Sequence, residues 1–131
     1  MLYKYTITTT KREEMIDITK YVVDGVLKSG VSDGIVAVYT PHTTSGITIN
    51  ENADPSVKED IIKFLNNKIP KNYPFTHLEG NSDAHIKSSL IGCEKTIIIS
   101  NGKLLLGTWQ GIFFCEFDGP RNRSFYVRVL G

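Results

Sequence analysis

Cysteine is scarce in this sequence: among its 131 residues only Cys93 and Cys115 carry thiols, and they do not form a CxxC pair. That excludes a disulfide framework and a zinc knuckle. Both are read as reduced, with Cys115, inside Ile112-Phe113-Phe114-Cys115-Glu116-Phe117, as a small core residue rather than a nucleophile. Long apolar runs are missing as well. The longest, such as Ile35 to Tyr39 and Ile97 to Ile99, fall far short of the roughly 18 residues needed to cross a bilayer. The first residues, Met1 to Thr6, alternate in polarity and lack the pattern of a signal peptide, so the expected setting is soluble and cytoplasmic. Nor does one sign of charge dominate. Fifteen Lys and Arg against 14 Asp and Glu leave +1 with the three histidines neutral, which is no footprint for nucleic acid or an anionic membrane. Any anionic partner must therefore be met locally. There is no repeat, linker or low-complexity segment, and the length suits one core but not two.

What is present alternates strands and helices. Tyr3 to Thr10 is rich in aromatic and β-branched residues and predicts an opening strand. Asp17 is placed to cap a helix in which Ile18, Tyr21, Val22, Val26 and Leu27 recur at three- and four-residue spacing, with Gly30 as its stop. Gly34 to Tyr39 and Gly46 to Asn50 read as strands flanking the polar turn His42-Thr43-Thr44-Ser45. Asp54-Pro55 opens a second helix whose face is traced by Val57, Ile61, Phe64, Leu65 and Ile69 before Pro70 ends it. Lys71 to Ser82 has no periodicity, and loops of that length often carry function. A short helix is expected from about Asp83 to Gly92, with Ile86 and Leu90 inward and His85, Ser88 and Ser89 on the other side. Lys95 to Ser100 and Lys103 to Leu106 form a hairpin across Asn101-Gly102. The strand through Cys115, the turn Asp118 to Asn122 and the strand Ser124 to Leu130 complete the chain. The closing strands are too closely spaced for crossover helices. The expectation is a single α+β domain over residues 1–131, a mainly antiparallel sheet or sandwich with two longer helices and one short one.

All three histidines, His42, His77 and His85, lie in polar, glycine-containing stretches. Three imidazoles could hold a metal with an open position, and Glu79 and Asp83 could orient ring nitrogens or act as acid and base. Spacing alone does not establish this, since no two histidines stand four apart on a helix and scattered histidines usually serve at surfaces. Thr43, Thr44 and Ser45 with the amides near Gly46 have the groups that hold phosphate oxygens, as does an ordinary Ser/Thr turn. If Asn81 or Ser82 caps the short helix, its free amides make an anion site to which Lys87 and Ser88 could add, although a simple cap fits equally. Arg121 and Arg123 could clamp a phosphate or remain solvated at a turn tip. Trp109, beside Gln110, is a stacking platform or, more often in such a position, a core residue.

Three long stretches carry a family resemblance: His42-Thr43-Thr44 with Ile47 to Pro55; His77-Leu78-Glu79-Gly80-Asn81-Ser82-Asp83-Ala84-His85 through Leu90; and Asn101 to Ile112 running on to Glu116-Phe117-Asp118-Gly119-Pro120-Arg121. The chain resembles the YjbQ-like family, also called secondary thiamine-phosphate synthases, from Gly34 to its end. The resemblance implies an α+β homotrimer with its polar motif residues in a pocket near a subunit boundary. It also implies a weak thiamine-phosphate synthase activity, in which a hydroxymethylpyrimidine diphosphate loses pyrophosphate to a thiazole phosphate. Dedicated synthases for this step use a TIM barrel of at least ~200 residues, so any such activity here sits on another scaffold. On this footing His42, His77 and His85 are expected to hold a divalent metal, zinc or magnesium, or to do acid–base work directly. Glu79 and Asp83 would orient them or transfer protons; Thr43, Thr44, Lys87, Ser88 and Arg121 would take phosphate; Asn81 and Gln110 would hydrogen-bond substrate. The rival expectations are a metal-assisted hydrolase of a small phosphorylated metabolite and a non-catalytic trimer that binds one.

Overall fold

Eight strands and three helices follow in the order β1 (Leu2–Thr8), β2 (Glu14–Asp17), α1 (Thr19–Ser29), β3 (Gly34–Tyr39), β4 (Ser45–Glu51), α2 (Pro55–Lys68), α3 (Ser82–Ile91), β5 (Glu94–Ser100), β6 (Lys103–Leu104), β7 (Gln110–Glu116) and β8 (Asn122–Leu130). They are seen in a computed structural model that describes residues Met1 to Gly131. The fold is α+β. Every strand pairing is antiparallel, in a five-stranded sheet ordered β1-β8-β3-β5-β6 and a three-stranded sheet ordered β2-β7-β4.

Period-two alternation sets the faces of the larger sheet. Arg123, Phe125, Val127 and Val129 of β8 point inward while Tyr126, Arg128 and Leu130 point out. Between the inner faces of the two sheets lies the main core, where Ile18, Val22 and Val26 of the α1 region meet Val36, Ile97 and Phe125 of one sheet and Ile47, Ile112 and Phe114 of the other. The hairpin turn forms as its Asn-Gly pair predicts. Asn101 and Gly102 both take positive φ, 53° and 73°, the arrangement that matches the twist of the flanking strands.

Helix starts also follow local chemistry. Asp54 Oδ1 accepts the Ser56 amide at 2.9 Å, with Pro55 in the first turn of α2. Asp17 does the same for the Thr19 amide at 2.9 Å, one residue before the helix boundary at Ile18.

The helix faces depart from expectation in three places. Leu27 is 70% exposed rather than core, and α2 buries no residue, its Phe64 standing 62% exposed. In α3 the expected polarity is reversed: Asp83, Ala84, Lys87 and Ser88 are buried, whereas Ile86 and Leu90 face out. The reason is ionic, because Arg12 and Glu13, just ahead of β2, bring countercharges beneath the helix. Ala84 then packs on Met15, Phe113, Cys115 and Phe117 in a second, smaller core. Trp109, expected in the core, is 62% exposed in the turn before β7. No helix is long and apolar enough to cross a membrane.

Candidate functional site

His42 lies in the connection from β3 to β4, which is pinned at both ends. The Thr40 amide donates to the Cys93 carbonyl at 2.9 Å, and the Thr40 and Ser45 hydroxyls share a hydrogen bond of 2.7 Å. The β3–β8 pairing ends at Tyr39 and Tyr126. Beyond it the Ser124 amide has no strand partner, and His42 Nε2 accepts it at 3.0 Å. An accepting Nε2 places the ring proton on Nδ1, which makes no hydrogen bond within the chain. Partial burial first, and the nearby Arg123 charge second, hold the imidazole below its ordinary pKa, so His42 is neutral at pH 7.

Behind His42 stands a buried pair of Glu116, which sequence reasoning left unassigned, and Arg123, which it offered as a phosphate clamp or a solvated turn residue. Arg123 bonds both carboxylate oxygens of Glu116, and its Nη2 also reaches Thr44 Oγ1 at 2.8 Å. Thr9 Oγ1 donates to Glu116 Oε1 at 2.8 Å, while the Asp118 amide donates to Oε2. Charges this deep persist because each is paired and hydrogen-bonded. A signal was legible: Glu116 closes an apolar run, and Arg123 shares the inward parity of Phe125 and Val127. Arg123 is thus no solvated turn tip, and Thr44 is buried against it instead of facing a ligand.

A second ionic cluster lies under α3, on the helix that carries His85. Asp83 Oδ1 accepts Arg12 Nη2 at 3.0 Å and Oδ2 accepts Lys87 Nζ at 3.0 Å. Lys87 Nζ also reaches Glu13 Oε2 at 3.2 Å and Asn66 Oδ1 at 2.6 Å, so all three of its donors are engaged inside the chain. Burial alone would raise the Asp83 pKa, but the bonds from Arg12 and Lys87 outweigh it and hold the carboxyl below its usual range. The geometry gives Asp83 and Lys87 a structural place in the fold, and the expected contact of Lys87 with phosphate has no free donor left.

The groove between the His42 turn and α3 has a volume of about 580 Å³ and is walled by His42 and Thr43 on one side and His85, Ser88 and Ser89 on the other, with Cys93 at its end. Gly46 is what lets β4 close its floor. A Cβ there would stand 2.9 Å from Ile91 Cγ2, and the next amide, of Ile47, donates to the Gly92 carbonyl at 3.0 Å. Ser88 and Ser89 donate their hydroxyls back to Ala84 and His85 carbonyls, leaving the Thr43 and Tyr39 hydroxyls without a protein partner on the His42 side.

The remaining expected residues do not line this groove. His77 stacks edge-on to His85 with ring centroids 5.5 Å apart, and its Nε2 is 3.8 Å from Glu79, which is exposed. Asn81 Nδ2 donates to Asp118 Oδ2 at 2.8 Å while its buried Oδ1 has no partner. Arg121 folds onto Asp118 at 3.2 Å, and Gln110 Oε1 accepts the Gly107 amide at 2.8 Å, closing its own turn. No three His, Cys, Asp or Glu side chains come together in a group that could hold a metal ion. The three-histidine donor set is therefore not assembled within one chain. Cys93, exposed at the groove, and Cys115, whose thiol burial pushes up to about 12, are both free.

A family model described as UPF0047 protein YjbQ-like matches residues 3–131. A UPF0047 protein of Methanocaldococcus jannaschii is 70% identical, covering 100% of this chain and 95% of its own length. The UPF0047 protein YugU of Bacillus subtilis is 51% identical with 100% of both chains covered. Among solved structures, an uncharacterized conserved protein of the yjbq/upf0047 family from Clostridium acetobutylicum superposes with a TM-score of 0.97 at 55% identity, over 98% of this chain and 99% of that one. A YbjQ-like protein of unknown function from Sulfolobus solfataricus gives 0.96 at 32% identity, over 100% and 96%.

Proposed function

This chain belongs to the UPF0047 protein YjbQ-like family, and from that premise we propose that it is a low-rate transferase joining hydroxymethylpyrimidine diphosphate to a thiazole phosphate at the groove between His42 and His85. The observation that carries this reading is the state of His42: a neutral ring whose Nε2 is committed to the Ser124 amide and whose Nδ1–H is left for a ligand. His42 also borders two grooves, one shared with His85 and one over β1 and β8, as a reaction between two substrates needs. In the reaction the bond from the pyrimidine methylene carbon to oxygen breaks and its electron pair leaves with pyrophosphate. The thiazole nitrogen supplies the pair for the new carbon–nitrogen bond. His42 Nδ1–H donates to the departing oxygen as charge develops there, Thr43 adds a hydroxyl, and His85 faces the same space.

One feature favours a second reading, hydrolysis of a single phosphorylated metabolite. Neither Lys nor Arg lines the groove between His42 and His85, so a diphosphate leaving group meets no cation there. Product and pyrophosphate measured with each substrate alone and with both together separate the two. Release that needs both substrates, lowered about 10²–10⁴-fold in His42→Ala, supports the transferase. Release from one substrate alone supports the hydrolase, and binding without turnover leaves a non-catalytic module.

We further propose a homotrimer. The outer face of the five-stranded sheet is uncovered and bears Leu2, Ile35, Ile98 and Leu130, between 41% and 55% exposed, an apolar patch of the sort that a second copy covers.

A further inference from the structure

On the far side of His42 from His85, a groove of about 470 Å³ runs over the outer face of β1 and β8. Its walls come from strand alternation. Lys4, Thr6 and Thr8 occupy the outward positions of β1, and Thr6 stands opposite Ser124 while Lys4 stands opposite Tyr126. Around this groove the polar groups divide into two sets. Thr8 is tied to Asn122 at 2.9 Å, and Arg123 to Glu116 and Thr44. The Lys4 ammonium, the Thr6 and Ser124 hydroxyls and His42 Nδ1 make no hydrogen bond or ion pair within the chain.

We propose that the Lys4 ammonium and the Thr6 and Ser124 hydroxyls form an oxyanion site that takes the phosphate monoester of a small metabolite, beside a His42 Nδ1–H that is kept for the departing pyrophosphate oxygen. No acidic side chain lines the groove, so an anion meets no repulsion at its walls. The Arg123 charge is already matched by Glu116, which leaves Lys4 as the uncompensated cation. Three donors and no acceptor charge suit a tetrahedral oxyanion, with Lys4 as the point charge and the two hydroxyls setting direction. The site deepens the transferase reading and rests on it for one point only: the monoester belongs to the second substrate, whose reactive end crosses His42 into the neighbouring groove.

The test is direct binding, independent of turnover. Inorganic phosphate is titrated at fixed ionic strength and pH 7 against 15N-labelled protein, with acetate as the comparison anion. The expected result is saturable shifts at the Thr6 and Ser124 amides, weakened at least about tenfold in Lys4→Met and less in Ser124→Ala, and unchanged in Lys68→Met. All these positions are on the surface or half-buried, and amide dispersion in the same spectra reports whether each variant is folded. Absence of saturable shifts at Thr6 and Ser124 in folded wild type overturns the proposal. So do shifts confined to Thr43 and Ser89 that Lys4→Met leaves unaltered, an outcome that spares the transferase reading. Phosphate bound at Lys4 together with no product from the two substrates upholds this site and overturns the transferase.

Discussion

Replacing Asp83 with Asn keeps the shape of a fully buried side chain and removes its charge. In the protein its oxygens accept from Arg12 at 3.1 and 3.0 Å and from Lys87 at 3.0 Å. After the change Lys87, also fully buried, keeps Glu13 and Asn66, so one carboxylate answers two cations where two did before. Removing one partner from a buried ionic cluster costs about 3–5 kcal/mol, and the surviving Glu13 places this case near the lower end, about 3 kcal/mol. For a chain of 131 residues that loss corresponds to about 10–15 °C in Tm. The effect has a definite pH dependence. Asp83 has a folded pKa below its unfolded value, so its contribution is complete above an unfolded carboxyl pKa of about 3.9 and is lost as pH falls through the lowered folded value. The wild-type advantage over Asp83→Asn is therefore full at pH 7 and shrinks below about pH 4. Urea unfolding of both proteins at the two pH values is the assay. A difference under about 1 kcal/mol at pH 7, or one that persists undiminished in acid, refutes the argument that the cluster holds an ionised Asp83 for stability.

His42 carries the second prediction. Because its folded pKa lies below the unfolded value of about 6.5, the unfolded chain binds more protons in the interval between the two; stability rises with pH there and falls on acidification. Ring 15N correlations should show the Nδ1–H neutral tautomer at pH 7, and a ring still charged above about pH 6.5 contradicts the assignment. The third concerns assembly: Ile98→Glu puts a charge into the uncovered sheet face, and sedimentation should show a wild-type trimer and a folded variant monomer. A wild type that sediments as a monomer ends the trimer proposal.

Most strands were readable from sequence because alternation is a local property, but the four-residue β2, Glu14–Asp17, was too short to show it and was not expected. A residue's face follows from its parity, which sets Phe125, Val127 and Val129 of β8 apart from Tyr126, Arg128 and Leu130, and the structure turns the first set inward. The Asn101-Gly102 turn and the Asp54-Pro55 start of α2 depend on two or three neighbouring residues, so they too were visible. The reversed face of α3 was not. Its composition offers Ile86 and Leu90 as the apolar choice, and only charges from Arg12 and Glu13, some 70 positions away, make burial of Asp83 and Lys87 the lower-energy solution. For the same reason Lys87 looked like a phosphate ligand until its partners were known.

The grouping of His42, Thr43 and His85 along one groove shows the same division. Motif resemblance marked these residues, yet their relation depends on the end of the β3–β8 ladder, where His42 takes an amide that β3 no longer pairs. The Lys4, Thr6 and Ser124 groove arises from the pairing of β1 with β8, across most of the chain's length, and no local pattern announces it. Local preference alone was enough for the antiparallel α+β class, the turns and the helix caps, since each is decided by steric and hydrogen-bonding demands among near neighbours. Which polar groups are satisfied inside the chain, and which remain for a ligand, was decided only by tertiary structure, because a donor's fate depends on acceptors that folding brings to it from distant sequence.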